Sequence, residues 1–208
     1  MAVKVKVCGM KYPNNIAEVA SLGIDYMGFI FYDQSKRYAG EGSSLYIKEL
    51  QSPSKVGVFV NASLSEILVK ITEFQLNAIQ LHGNESVEFC LELKKESAVT
   101  IVKAFGIDQD FDWIQLGPYA EVVDYFLFDT KSNSYGGTGI TFDWSLLDQY
   151  KLTTPYFLSG GLDPENIKTA LERNDPRLYA LDLNSKFEVE PGLKDIDLLT
   201  HSINNIKK

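Results

Sequence analysis

The chain has 208 residues, 45% of them hydrophobic and 23% charged, an ordinary balance for a soluble globular protein and a length at the short end for an eight-stranded α/β barrel. Its net charge of −8 has the wrong sign for strong nucleic-acid binding. No apolar run approaches the length of a transmembrane helix, so no membrane partner is expected.

The first ten residues, MAVKVKVCGM, lack a long apolar run ahead of a small-residue cleavage site, so no secretion leader is expected. Cys8 and Cys90 lie far apart, and a reducing, cytoplasmic setting is expected rather than a disulfide. His82 and His201 are the only histidines. No Cys/His cluster has metal-ligand spacing, so no metal is expected. An anionic substrate would need a local positive site within this acidic molecule, which helix N-termini and a few basic side chains can supply.

Along the chain, short β-branched or aromatic runs alternate with longer amphipathic segments. Val3–Val7 is followed by helical spacing near Asn15–Leu22, Tyr26–Phe31 by Ser44–Leu50, and Val56–Val60 by Leu64–Phe74. Ala78–Leu81 is followed by Ser86–Lys95, Val99–Ala104 by Phe111–Tyr119, and Tyr125–Phe128 by Trp144–Tyr150. Tyr156–Leu158 precedes Pro164–Glu172, and Tyr179–Leu183 precedes Ile196–Ile206. Asn14 or Asn15, Ser63, and Asp163 with Pro164 mark helix starts. The alternation predicts parallel βαβ units. Eight of them in one domain over residues 1–208 point to a closed (β/α)8 TIM barrel, with a doubly wound open sheet as the rival.

Residues alternate faces along a strand. Val3, Val5 and Val7 share one face of the first run, and Lys4, Lys6 and Cys8 the other. Ile79 and Leu81 oppose Ala78, Gln80 and His82; Phe126 and Phe128 oppose Tyr125, Leu127 and Asp129; Leu181 and Leu183 oppose Ala180, Asp182 and Asn184. The face that packs on helices must be apolar, because a buried unpaired polar group costs roughly 1–3 kcal/mol. The mixed faces therefore point into the barrel. Their last members, Cys8, His82, Asp129 and Asp182, converge at the C-terminal mouth, where such barrels place their chemistry.

Cys8, before Gly9, reads as a thiol base assisted by Lys6 or as a small buried hydrophobe; Cys90 reads only as the latter. Asp129 reads as a general acid or a cap. Ser134–Gly139 is a glycine-rich loop able to shield a site or to stay a plain connection. Gly160 and Gly161 after the seventh run, with Asn184 and Ser185 after the eighth, match the pair of loops with which barrels bind phosphate. Arg37 reads as a bidentate carboxylate clamp or a solvated charge, and His82 as a substrate contact or a rim residue.

Taken together, the motifs resemble the phosphoribosylanthranilate isomerase family over nearly the whole chain. They are Lys6-Val7-Cys8-Gly9, Gly28-Phe29-Ile30-Phe31, Ser35-Lys36-Arg37-Tyr38, Gln80-Leu81-His82-Gly83, Phe128-Asp129, Gly136–Gly139 with Phe142-Asp143-Trp144, Ser159-Gly160-Gly161-Leu162, and Asp182-Leu183-Asn184-Ser185 through Glu188, with Pro191-Gly192 and Lys194-Asp195. The resemblance implies a TIM barrel that carries out an Amadori rearrangement of N-(5-phosphoribosyl)anthranilate to the 1-deoxyribulose product. It further implies Asp129 as general acid, Cys8 as general base, and Arg37 on the anthranilate carboxylate with Asp182 nearby. Phosphate would sit on Gly160, Gly161, Asn184 and Ser185, and His82 would touch substrate.

No cofactor is implied, because the substrate nitrogen is itself the electron sink, and small barrels of this kind occur as monomers and homodimers. Lys36, Ile140 and Lys186 stand where the family usually has proline, a basic residue and glycine. Two other readings are a sugar isomerase of histidine synthesis, which typically uses two aspartates and shows twofold repeats, and a non-catalytic barrel that binds a phosphorylated metabolite.

Overall fold

The computed structural model describes residues 2–40, 44–131 and 141–207. Eight parallel strands close on themselves, each hydrogen-bonded to the next in chain order and the eighth to the first. They are β1 (Lys4–Cys8), β2 (Tyr26–Ile30), β3 (Ser54–Phe59), β4 (Ala78–Leu81), β5 (Thr100–Ile107), β6 (Tyr125–Thr130), β7 (Tyr156–Leu158) and β8 (Leu178–Leu183). Closure excludes the open sheet. Around the barrel lie α1 (Pro13–Ser21), α2 (Ser44–Glu49), α3 (Leu64–Phe74), α4 (Val87–Glu96), α5 (Gly117–Ala120), α6 (Ile167–Glu172) and α7 (Ile196–Ile206). None of the described helices is long and apolar enough to cross a membrane.

The face assignment holds in the register. Lys6 lies opposite Asp182 and Tyr26, Cys8 opposite Gly28, and Gly106 opposite Asp129. Val5, Val7, Ile79, Leu81, Phe126, Phe128, Leu181 and Leu183 are all inaccessible in the core between barrel and helices. Inside the barrel, Val102, Ala104, Leu127, Phe157 and Ala180 form a separate apolar cluster, against which Tyr26, Tyr125 and Tyr179 pack. The interior is thus filled with side chains, as in barrels generally, and is not a pore. Tyr179 joins this cluster because the β7–β8 register shifts between Tyr156 and Phe157. An extra residue of this kind bends the strand and re-aims a side chain.

Several helix boundaries differ from the sequence expectation. The first helix is capped at Tyr12, with Pro13 in its first turn, and not at Asn14 or Asn15. Proline has its dihedral preset and gives up only a donor that the first turn leaves unpaired anyway. Ser63 does cap α3, in a full capping box with Glu66. Asp163 accepts from the N–H groups of Glu165 and Asn166 at 2.9 Å, but the α-helix begins only at Ile167. The stretch expected as a helix over Phe111–Tyr119 begins as a 3-10 turn, Trp113–Leu116, that runs into α5, and the one near Trp144 is a 3-10 turn, Trp144–Gln149; the Asp112 and Asp143 side chains start the two turns. Beyond β8, two short antiparallel strands, β9 (Glu188–Glu190) and β10 (Leu193–Lys194), form a hairpin that the sequence reading did not anticipate.

Candidate active site

A cleft of about 680 Å³ opens where the barrel strands end. Strand ends and the loops after them supply its lining: Cys8, Ile30, Tyr32 and Ser35, Val58 and Val60, Gln80 and His82, Asp129, Ser159 to Leu162, and Asp182, Asn184 and Ser185. Eight of the nine residues singled out from sequence therefore meet in one place. The ninth, Arg37, stands beside the cleft and does not line it. Its Nε donates to both carboxylate oxygens of Glu188, at 2.9 and 3.0 Å, and its Nη2 donates to Oε2 at 2.7 Å. The glycine-rich loop Ser134–Gly139 and Ile140 lie outside the described residues.

Cys8 is buried at the end of β1. Its thiol has room because β2 carries Gly28 opposite, where a Cβ would come within 2.6 Å of the sulfur. Burial pushes the Cys8 thiol above its ordinary value. The Lys6 ammonium pulls it down, Asp182 pushes it further up, and Lys194 pulls it down more weakly. Lys6 itself donates to Asp182 Oδ2 at 2.7 Å, with both side chains almost wholly inaccessible. Burial pushes the Asp182 carboxyl up against the pull of Lys6. Asp182 Oδ1 is buried with no hydrogen-bond partner, as is Oε1 of Gln80. Both residues line the cleft, and unpaired buried acceptors of this kind are costly unless something else fills them.

Across the barrel, Asp129 ends the apolar run of β6 with its carboxylate partly exposed. Its Oδ1 accepts from the Thr130 N–H at 2.8 Å, and its Oδ2 lies 3.5 Å from His82 Nε2. The Gln80 amide nitrogen sits 2.8 Å from His82 Nδ1, so the two β4 residues form a short polar chain toward Asp129. Gly160 backs directly onto Asp129. With φ +84°, it adopts a conformation L side chains avoid, and a Cβ there would meet Thr130 Oγ1 at 2.4 Å and Asp129 Oδ1 at 2.9 Å. The glycine after β7 is thus required by close approach, which brings the loop backbone beside the carboxylate.

Sequence reasoning missed two charged clusters behind the cleft. Lys103 forms an ion pair with Glu85 at 3.1 Å and donates to the Gly83 carbonyl at 2.8 Å. Glu85 in turn accepts from the Gly83 and Asn61 N–H groups, pinning the loop that carries His82. Lys194 donates to Glu188 Oε1 at 2.6 Å and to Asn184 Oδ1 at 2.8 Å. Parity placed Gln80 on the inward face without giving it a role, but each of these clusters joins distant strands and loops and has no local pattern.

A closed parallel barrel with a thiol, a carboxyl group and two phosphate-type loops gathered at its C-terminal mouth defines a (β/α)8-barrel enzyme for a small polar substrate. The family model for N-(5'-phosphoribosyl)anthranilate (PRA) isomerase matches residues 5–205. A relative from Parabacteroides distasonis named N-(5'-phosphoribosyl)anthranilate isomerase is 48% identical over 97% of this chain and 92% of its own length. The phosphoribosyl anthranilate isomerase structure from Thermotoga maritima is 38% identical, covers 99% of this chain and 98% of its own, and superposes with a TM-score of 0.85. A phosphoribosyl anthranilate isomerase solved in complex with reduced 1-(o-carboxyphenylamino)-1-deoxyribulose 5-phosphate is 35% identical over 99% of this chain and 98% of that one, with a TM-score of 0.83. The chain belongs to the N-(5'-phosphoribosyl)anthranilate isomerase family, and is an aldose–ketose isomerase of tryptophan biosynthesis. Membership decides against the histidine-pathway isomerase and the non-catalytic barrel.

Proposed function

We propose that this chain converts N-(5-phosphoribosyl)anthranilate to 1-(2-carboxyphenylamino)-1-deoxyribulose 5-phosphate, with Asp129 as general acid and Cys8 as general base. Protonated Asp129 gives its proton to the furanose ring oxygen. The C1′–O bond breaks and the aniline nitrogen lone pair forms a C1′=N iminium. The Cys8 thiolate then removes the C2′ proton, and the C–H electron pair becomes the C1′=C2′ bond of an enolamine as the iminium electrons return to nitrogen. Proton transfer from the enol oxygen to C1′ completes the ketone. No cofactor enters, since nitrogen accepts and returns the electrons. Each proton-transfer group contributes roughly 10²–10⁴-fold.

The observation that carries this reading is the convergence of Cys8 from β1 and Asp129 from β6 on one cleft with Gly160, Gly161, Asn184 and Ser185. One substrate can then offer its ring oxygen to the acid and C2′ to the base while its phosphate rests on the two loops. The unpaired acceptors of Asp182 and Gln80 suit sugar hydroxyl and aniline N–H donors, and His82 would contact substrate beside Asp129. Ile30, Val58, Val60 and Leu162 offer an apolar wall for the aromatic ring. Arg37 would hold the carboxylate with the terminal nitrogen that Glu188 leaves over. The reading takes residues 1–208 as one catalytic domain, a cytoplasmic monomer or homodimer; the pairing of β8 with β1 supports the single domain. Cys8→Ala and Asp129→Asn should each lower kcat at least 10³-fold, with circular dichroism and phosphate competition unchanged. Turnover near that of the parent in either variant would sink the acid/base assignment.

A further inference from the structure

Lys194 has no part in the acid/base chemistry, yet its ammonium is held on three sides beside the cleft. Its side chain is fully buried. The ammonium donates to Asn184 Oδ1 at 2.8 Å, to the Asn184 carbonyl at 3.3 Å and to Glu188 Oε1 at 2.6 Å, which uses all three of its protons. Its backbone is tied as well: the Asn15 side chain accepts from the Lys194 N–H at 2.7 Å and donates to its carbonyl at 3.0 Å. That anchors β10 to α1.

Both acceptors of the ammonium lead toward the cleft. Asn184 lines it, with a backbone (φ −145°, ψ −104°) outside the regular strand and helix regions. Because Oδ1 is drawn to Lys194, the amide NH₂ is left as the group to face a ligand, and a cleft-facing donor suits an anion. Glu188 is shared between Lys194, Arg37 and the Gly192 N–H. Two cations on one carboxylate leave one positive charge in excess beside the mouth, on a molecule whose net charge is −8. Burial pulls the Lys194 ammonium down to about 8 against the support of Glu188, a cost the fold accepts for a residue that does not line the cleft.

We propose that Lys194 is a positioning residue for the substrate: it locks the Asn184 amide and, through Glu188, the Arg37 guanidinium into one unit that grips both anionic ends. The inference rests on the reading that Arg37 takes the carboxylate and Asn184 the phosphate. Loss of Lys194 frees the Asn184 amide to rotate and leaves the full charge of Glu188 to neutralise Arg37, weakening its hold on a carboxylate.

The test is steady-state kinetics on N-(5-phosphoribosyl)anthranilate with Lys194→Met, Lys194→Arg, Arg37→Ala and the Lys194→Met/Arg37→Ala double variant. Lys194→Met should raise KM at least tenfold with kcat within about threefold, and Lys194→Arg should recover most of the loss. A merely structural lysine would lower the folded fraction, and so apparent kcat, while leaving KM alone. In the Arg37→Ala background the KM effect of Lys194→Met should shrink to the part carried by the Asn184 amide, a smaller fold increase than in the parent, because the Glu188 arm is already lost. Lys194→Gln, whose amide still donates to Glu188, replaces the methionine variant where that does not fold, with the same split expected. KM within twofold of the parent for Lys194→Met, while Arg37→Ala raises it, overturns the proposal and leaves the site reading standing. The same fold increase in both backgrounds overturns the linkage through Glu188. An unchanged KM in Arg37→Ala overturns the site reading, and the proposal with it.

Discussion

Cys8 owes its position in the mouth to a residue that is missing a side chain. Gly28 lies opposite it on β2, and a Cβ there would stand 2.6 Å from the sulfur and 3.2 Å from the Cys8 Cα. Both sit in well-packed strands, so the methyl of Gly28→Ala has nowhere to go but against the thiol. Overpacking of this kind costs about 1–3 kcal/mol. A displacement of about 1 Å at a reacting group can cost on the order of 10²-fold in rate. Gly28→Ala should therefore lower kcat more than tenfold and lower the urea midpoint; kcat within twofold of the parent would show that the thiol does not need this place. The residues of the mouth were legible in sequence because strand parity is rigid: with a period of two, Cys8, His82, Asp129 and Asp182 had to share the interior once the valines and phenylalanines claimed the helix side. Arg37 was legible as a charge but not as a partner. Its carboxylate, Glu188, lies 151 residues away, and no local pattern couples two such positions.

The barrel strands carry that logic at the scale of elements. All eight were recognisable from apolar runs, whereas the helix starts near Pro13, Trp113 and Ile167 were not, and the turn at Trp144 was placed but not as a 3-10 helix. Short helices are decided by single turns, where a proline or an aspartate cap outweighs periodicity. The β9–β10 hairpin has only five residues in strands, too few for alternation to show. Between β1 and β8, the buried Lys6–Asp182 pair sits in register on adjacent strands. Burying two charges repays little as a pair, but removing one partner leaves the other uncompensated. Lys6→Met should cost about 3–5 kcal/mol in chemical denaturation, and Lys6→Met/Asp182→Leu should recover a substantial part of it. The double variant would still be inactive, because Asp182 belongs to the cleft. A single variant as stable as the parent would mean that Asp182 is already protonated in the folded state and needs no partner.

For the molecule as a whole, Glu188 joins segments from both ends of the chain. It binds Arg37 from the loop after β2, Gly192 from the hairpin turn and Lys194 on β10, and Lys194 is tied in turn to Asn15 on α1. Its response to acid should therefore be felt in global stability. Burial alone would raise the Glu188 carboxyl, but Arg37 and Lys194 outweigh it and hold it below the usual glutamate value of 4.5. Asp175 is likewise held down by Arg177, against its burial. A carboxyl whose folded pKa is depressed gives stability that is complete above its unfolded value and is lost as pH falls through the folded one. Asp182, pushed up by burial, has the opposite sign and offsets part of the loss. The thermal midpoint should accordingly fall as pH drops below about 4.5. Glu188→Gln keeps the shape but leaves the buried Lys194 and the partly buried Arg37 facing a neutral amide. It should be less stable than the parent by about 3–5 kcal/mol at pH 7. At pH 3, the gap should narrow, because the parent's own Glu188 is then losing its charge. Thermal unfolding of both proteins at the two pH values measures this directly. A gap as wide at pH 3 as at pH 7 would mean that the carboxylate's charge contributes nothing and only its shape matters.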